Sequence, residues 1–119
     1  MAKNYTHKDF CAAVRQAQPG ASPDHLRQIA CHARTLHAAC ERCCNGHHTW
    51  KGDWDEKAAE RDDRLVDKRI AQINALAAKM GARAYIPTDP RGVTVLYWPG
   101  MTGYDDPKAD GGWNGIAVQ

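Results

Sequence analysis

At 119 residues the chain is about one domain long, and its 43% hydrophobic and 25% charged residues are an ordinary globular balance. A formal net charge of +2 argues neither for nucleic acid nor for a membrane surface, and no apolar run nears the roughly 18 residues a membrane span needs. The start, Met1-Ala-Lys-Asn-Tyr-Thr-His-Lys8, lacks an apolar leader region. The five cysteines, an odd number with Cys43 and Cys44 adjacent, make a poor disulfide framework. Reduced thiols and a cytoplasmic location are therefore expected.

The charge is unevenly placed. Residues 1–52 hold seven Lys/Arg against three Asp/Glu, and all six histidines lie there. Spread over fifty residues, this basic excess reads as an ordinary solvated surface rather than a nucleic-acid footprint.

The first helix is expected to start at Thr6, because Thr6-His-Lys-Asp9 fits the acidic form of a capping box. Phe10, Val14 and Ala17 then share a face, and Pro19-Gly20 stops the helix. Ser22-Pro23 opens the second helix with a hydroxyl N-cap and proline at the first helical position. Leu26, Ile29, Ala33, Leu36, Cys40 and Cys43 recur at three and four, which predicts a helix over residues 23–45, ended by Asn45-Gly46. Residues 47–52 read as a loop. Asp53-Trp-Asp-Glu56 marks the next helix start, and residues 54–80 carry a stripe of Leu65 or Val66, Ile70, Ile73, Leu76 or Ala77 and Met80. Glu60 and Arg64 interleave charge on its outer faces. Two long amphipathic helices joined by a short loop pack as an antiparallel hairpin.

The period changes after Gly81. Residues 83–86 are short and extended, and Asp89-Pro90-Arg91-Gly92 has the residue order of a type I turn. Residues 93–98 form the clearest strand, with Val93, Val95 and Tyr97 on one face and Thr94, Leu96 and Trp98 on the other. Residues 99–115 read as a long Gly- and Asp-rich loop, and 115–118 as a closing strand. The expected fold is α+β: one domain over 1–119, a long helical hairpin packed on a small three-stranded antiparallel sheet, with 1–20 an appended N-terminal helix. The broad stripe of the third helix also suits a homodimer.

Two clusters carry chemistry. Cys40-x-x-Cys43 has a spacing that zinc sites use, and His7 with Cys11 would supply two further ligands. Against this, Cys40 and Cys43 lie on the apolar stripe, where free cysteine packs as a small hydrophobe. No metal and no other cofactor is expected. The second cluster is the turn with its aromatics. Arg91 on a rigid turn suits a phosphate or carboxylate, Asp89 caps the turn, and Tyr85, Tyr97, Trp98 and Trp113 supply rings for stacking. The competing reading is a hairpin turn with Arg91 in an internal ion pair and aromatics filling a sheet face. No catalytic signature is present, and Cys44 beside His47 and His48 lacks a third orienting group. The chain is read as a non-enzyme.

The segments Ala33-Arg-Thr-Leu-His37, Cys44-Asn-Gly46, Gly81-Ala-Arg-Ala-Tyr85, Asp89-Pro-Arg-Gly-Val-Thr-Val-Leu-Tyr97 and Gly115-Ile-Ala-Val118 resemble, as an ordered set, a group of small bacteriophage and prophage proteins. The resemblance covers residues 26–119. It implies a phage-encoded accessory protein acting inside an infected bacterium. Accessory proteins of that kind mostly work by binding. The expected function is non-covalent sequestration of a nucleotide-derived host immune signal, a small anionic ligand. The alternatives are inhibition of a host defence protein, such as a CRISPR effector, and nucleic-acid-binding regulation. No membrane partner is expected.

Overall fold

The computed structural model describes residues 5–46, 49–50, 52–99 and 115–119. Three helices stand in the expected places. Helix α1, His7–Ala17, opens on the capping box: the Asp9 N–H donates to Thr6 Oγ1 at 3.2 Å, and the Thr6 N–H donates to Asp9 Oδ2 at 2.9 Å. Two of the helix's orphan donors are thereby satisfied. Phe10 and Val14 from its inner face are fully buried. Helix α2, Pro23–Cys44, begins with proline at its first position, although Ser22 makes no side-chain cap bond.

The link between α2 and the third helix is more ordered than expected. Thr49–Trp50 (β1) pairs antiparallel with Asp53–Trp54 (β2) in a two-stranded ribbon. Because Asp53 and Trp54 are used there, helix α3 starts later than the sequence suggests and runs Glu56–Lys79. Its cap is Asp55, whose Oδ1 accepts from the Ala58 N–H at 3.1 Å. Gly81, at φ 70°, lets the chain leave the helix in a left-handed turn that side chains disfavour.

Beyond it lie β3, Arg83–Tyr85, β4, Val95–Tyr97, and β5, Ile116–Ala117. They form one antiparallel sheet in the order β3-β4-β5, which together with the helices confirms the α+β class. The register puts Ala84, Leu96 and Ile116 side by side. Since side chains alternate along a strand, these three share the face that meets the core. Arg83, Tyr85, Val95, Tyr97 and Ala117 lie on the opposite face. The expected 93–98 strand is shorter, Val95–Tyr97, although the Thr94 carbonyl beside it still accepts from the Val118 N–H at 2.9 Å.

The core joins α1, α2, α3 and the sheet through Phe10, Val14, Leu26, Ile29, Ile73, Leu96 and Trp98. Each large apolar side chain so buried contributes roughly 1.5–3 kcal/mol relative to exposure. Trp98 does more than fill space. It is buried, and its Nε1–H donates to the Met80 carbonyl at 2.9 Å, satisfying an orphan acceptor at the end of α3.

Polar pairs lock α2 to α3. Arg42 binds Asp62 through Nε–H to Oδ2 at 2.9 Å and Nη2–H to Oδ1 at 2.7 Å. Asp62 is buried within this bidentate contact. Arg69 Nη1–H donates to His32 Nδ1 at 2.7 Å, which fixes that ring nitrogen as the acceptor.

His32 is held below its ordinary pKa, first by burial and then by the charges of Arg69 and Lys68. The unfolded chain therefore takes up the proton first on acidification, and stability falls as pH drops below about 6.5. Urea midpoints taken at half-unit steps across that window should show a slope that flattens in His32→Asn. An unchanged slope would place the titrating group elsewhere.

Candidate functional site

A groove of about 470 Å³ opens between α2 and the segment that joins β3 to β4. Three kinds of residue build it. Ala30, Ala33 and Leu36 of α2 form an apolar floor, flanked by Arg34 and His37 from the same helix. Pro87, Asp89, Gly92, Val93 and Thr94 form the facing wall, and Val118 and Gln119 close one end. The small residues at 30 and 33 follow from helical spacing: one turn apart, they leave a flat strip beside which longer side chains at 34 and 37 rise.

The facing wall is a rigid turn. The Gly92 N–H donates to the Asp89 carbonyl at 2.9 Å, the closure expected of a type I turn. The Arg91 N–H donates to Asp89 Oδ1 at 2.7 Å, so the side chain caps its own turn. One carboxylate oxygen is spent in this way, and Oδ2 remains to accept from a ligand. Gly92 is required for close approach: a Cβ there would stand 2.4 Å from Pro87 Cγ and 2.5 Å from Pro87 Cβ. Gly92→Ala should therefore cost about 1–3 kcal/mol through displacement of the turn. Urea denaturation measures this directly, and a neutral result would mean that Pro87 yields freely.

The sequence-derived site is only partly assembled. Asp89 lines the groove. Arg91 is exposed on the turn and does not line it; the cation on the groove is Arg34, one helix away. Tyr85 and Tyr97 are half-buried on the sheet face away from the core, outside the groove. Trp98 belongs to the core, with its indole N–H committed to Met80, so it offers no stacking platform. Trp113 lies outside the described residues, as do most of the 99–115 loop and His47 and His48. No aromatic side chain is among the groove's described lining.

Arg34 and His37 were the residues that site reasoning missed. Both stand in the Ala33–His37 segment singled out on other grounds, three apart and hence on one helix face. Across one further turn, His37 Nε2 lies 3.3 Å from Glu41 Oε1.

Two of the thiols, Cys40 and Cys43, are held in the protonated form. All five cysteines are free. Cys40 is pushed above the ordinary thiol pKa by burial, reinforced by Cys43, Cys44 and Asp89. Cys43 is pushed up by burial and then chiefly by Asp63 and Asp62. Both are thus held as thiols rather than nucleophilic thiolates. The four residues considered for zinc are not gathered either. His7 Nε2 meets Cys11 Sγ at 3.4 Å, while the other His7 ring nitrogen bonds the Gln119 carbonyl. Among the described residues no three His, Cys, Asp or Glu side chains form a group that could hold a metal ion.

No described helix is long and apolar enough to cross a membrane. Compared with protein-family models, with curated proteins and with solved structures, the chain has no match.

Proposed function

We propose that the protein acts by non-covalent binding of a small anionic ligand in the groove between α2 and the Asp89–Gly92 turn. One observation carries this reading: Arg34 and His37 stand on one wall of an apolar-floored groove, with the Asp89 carboxylate on a rigid turn opposite. Small-ligand sites are of this size and kind, mostly apolar with a few convergent polar groups. The arrangement suits a ligand that is anionic at one end and carries hydroxyl or amine donors at the other. A phosphate would sit on Arg34, and a ribose hydroxyl on Asp89 Oδ2. The floor of Ala30, Ala33 and Leu36 would cover the apolar body.

A nucleotide-derived signal fits this chemistry. Together with the resemblance to phage accessory proteins, the groove supports sequestration of such a signal as the protein's role. Binding without turnover is favoured because the buried Cys40 thiol, which feels the Asp89 charge, is held protonated and no described base is set against a nucleophile in the groove. Calorimetric titration with AMP, cyclic AMP and ADP-ribose tests the reading. Saturable binding of at least one of them, weakened in Asp89→Asn and weakened at least 10-fold in Arg34→Ala, supports it. Failure of all three to bind, with inorganic phosphate also inert, would remove it.

A further inference from the structure

A cluster with its own chemistry lies at the start of α1. Cys11 follows His7 by four residues, so the two side chains share a helix face. His7 Nε2 stands 3.4 Å from Cys11 Sγ. The other ring nitrogen, Nδ1, bonds the Gln119 carbonyl, 112 positions along the chain. A carbonyl only accepts, so Nδ1 carries a proton, and Nε2 of the neutral ring turns its lone pair to the thiol. Nucleophile, base and orienting group thus stand in line, the order that activates a thiol.

The surroundings set Cys11 apart from the other cysteines. Its side chain is half-buried, packed on the edge of the core yet open to solvent. Cys40 and Cys43 are held protonated, and among the described residues neither Cys31 nor Cys44 has an imidazole against its sulfur. Lys8, three residues before Cys11, and Arg15, four after, lie on its side of α1. Both are exposed, and neither forms an ion pair with a described residue. The Asp9 carboxylate, two residues away, is engaged in the Thr6 cap. Tyr5 is the other titratable neighbour, its phenol pushed above the ordinary range first by burial and then by the charges of Asp9 and Cys11.

We propose that Cys11 is a modification site for small anionic disulfides of the glutathione class, with His7 as its base. Sγ attacks one sulfur of the disulfide while Nε2 takes the thiol proton. The bond between the two sulfurs of the reagent breaks, and a new disulfide bond forms on Cys11. The released thiolate takes the proton back from Nε2 and leaves as a thiol. Cys11 is oxidised and the departing sulfur reduced, so the disulfide itself is the oxidant. The anionic class follows from Lys8 and Arg15, which flank the sulfur and which a neutral oxidant would not use.

The test is incubation of the full chain with oxidised glutathione at pH 7, acid quenching and tryptic mass spectrometry. Trypsin cuts after Lys8 and Arg15, which separates Cys11 from the other four cysteines. An ordinary thiol is about 3% ionised at pH 7, so relieving it of its proton gains at most about 30-fold, less what a weaker nucleophile loses. Cys11 should accordingly acquire glutathione about 10-fold faster than Cys31 or Cys44. His7→Gln keeps a donor for Gln119 but has no base. It should bring Cys11 to within about three-fold of Cys31 without shifting the unfolding midpoint. Lys8→Gln with Arg15→Gln should slow modification by oxidised glutathione and leave that by neutral hydroxyethyl disulfide unchanged, each rate being referred to that of a cysteine peptide. The proposal is overturned if Cys11 in the wild type reacts no faster than Cys31, or if folded His7→Gln keeps the wild-type rate. It is equally overturned if the neutral disulfide, or hydrogen peroxide, gains as much over the cysteine peptide as oxidised glutathione does. The wild-type comparison with Cys31 decides the matter even where a variant does not fold.

Discussion

Replacing Leu36 by aspartate is expected to leave a chain that does not fold at 25 °C. Leu36 is 2% exposed on the inner face of α2, beneath the groove and close to Cys40. The substitution forfeits roughly 1.5–3 kcal/mol of apolar burial. It also places a carboxylate at a position only 2% exposed, on the apolar floor that Leu36 forms with Ala30 and Ala33. An uncompensated buried charge costs about 3–5 kcal/mol more. The sum is comparable with the whole stability of a domain, about 5–15 kcal/mol. Far-UV circular dichroism and a urea titration read the outcome. A cooperative transition at the wild-type midpoint would mean that α2 presents a different face to the core.

The second large effect is on binding and should leave stability alone. Arg34→Ala is expected to weaken nucleotide binding by about 10- to 150-fold, the 1.5–3 kcal/mol of a charge-assisted hydrogen bond. Arg34 is exposed and forms no ion pair with a described residue, so the unfolding free energy should stay within about 0.5 kcal/mol of wild type. Arg91→Ala provides the contrast. Only its backbone N–H serves the turn, so truncating its side chain should change neither stability nor affinity appreciably. If Arg91→Ala abolishes binding and Arg34→Ala does not, the ligand sits on the outside of the turn and the groove is not the site.

How far the sequence carries this fold depends on how local each signal is. The Thr6–Asp9 box, the Ser22-Pro23 start and the glycine at 81 act over a few residues, and each helix lies within two or three residues of its expected place. The β1–β2 ribbon escaped because two residues per strand are too few to show a period of two. The burial of Asp62 depends on Arg42, twenty residues away, which no pattern within α3 encodes. The candidate site shows the same division. The Asp89–Gly92 turn is legible from its own four residues: the Gly92 N–H closes it on the Asp89 carbonyl, and the Asp89 side chain adds its bond to the Arg91 N–H. The groove is a contact between residues 30–37 and 87–94, which no local pattern encodes. Composition pointed to Arg91 and Trp98 because arginine on a turn and tryptophan in a strand suit ligands in general. Their roles are set by position: the third residue of this turn faces solvent, and Trp98 meets the end of α3.

One experiment bears on the groove more than any other. Wild-type protein and Arg34→Ala are each incubated with a small-molecule extract of bacterial cells, desalted, and compared by native mass spectrometry before and after denaturation. Wild type should carry one adduct of nucleotide mass per chain, released on unfolding, and Arg34→Ala should carry none. An unliganded wild type, or the same adduct at the same occupancy on both proteins, would contradict ligand binding through Arg34 in this groove.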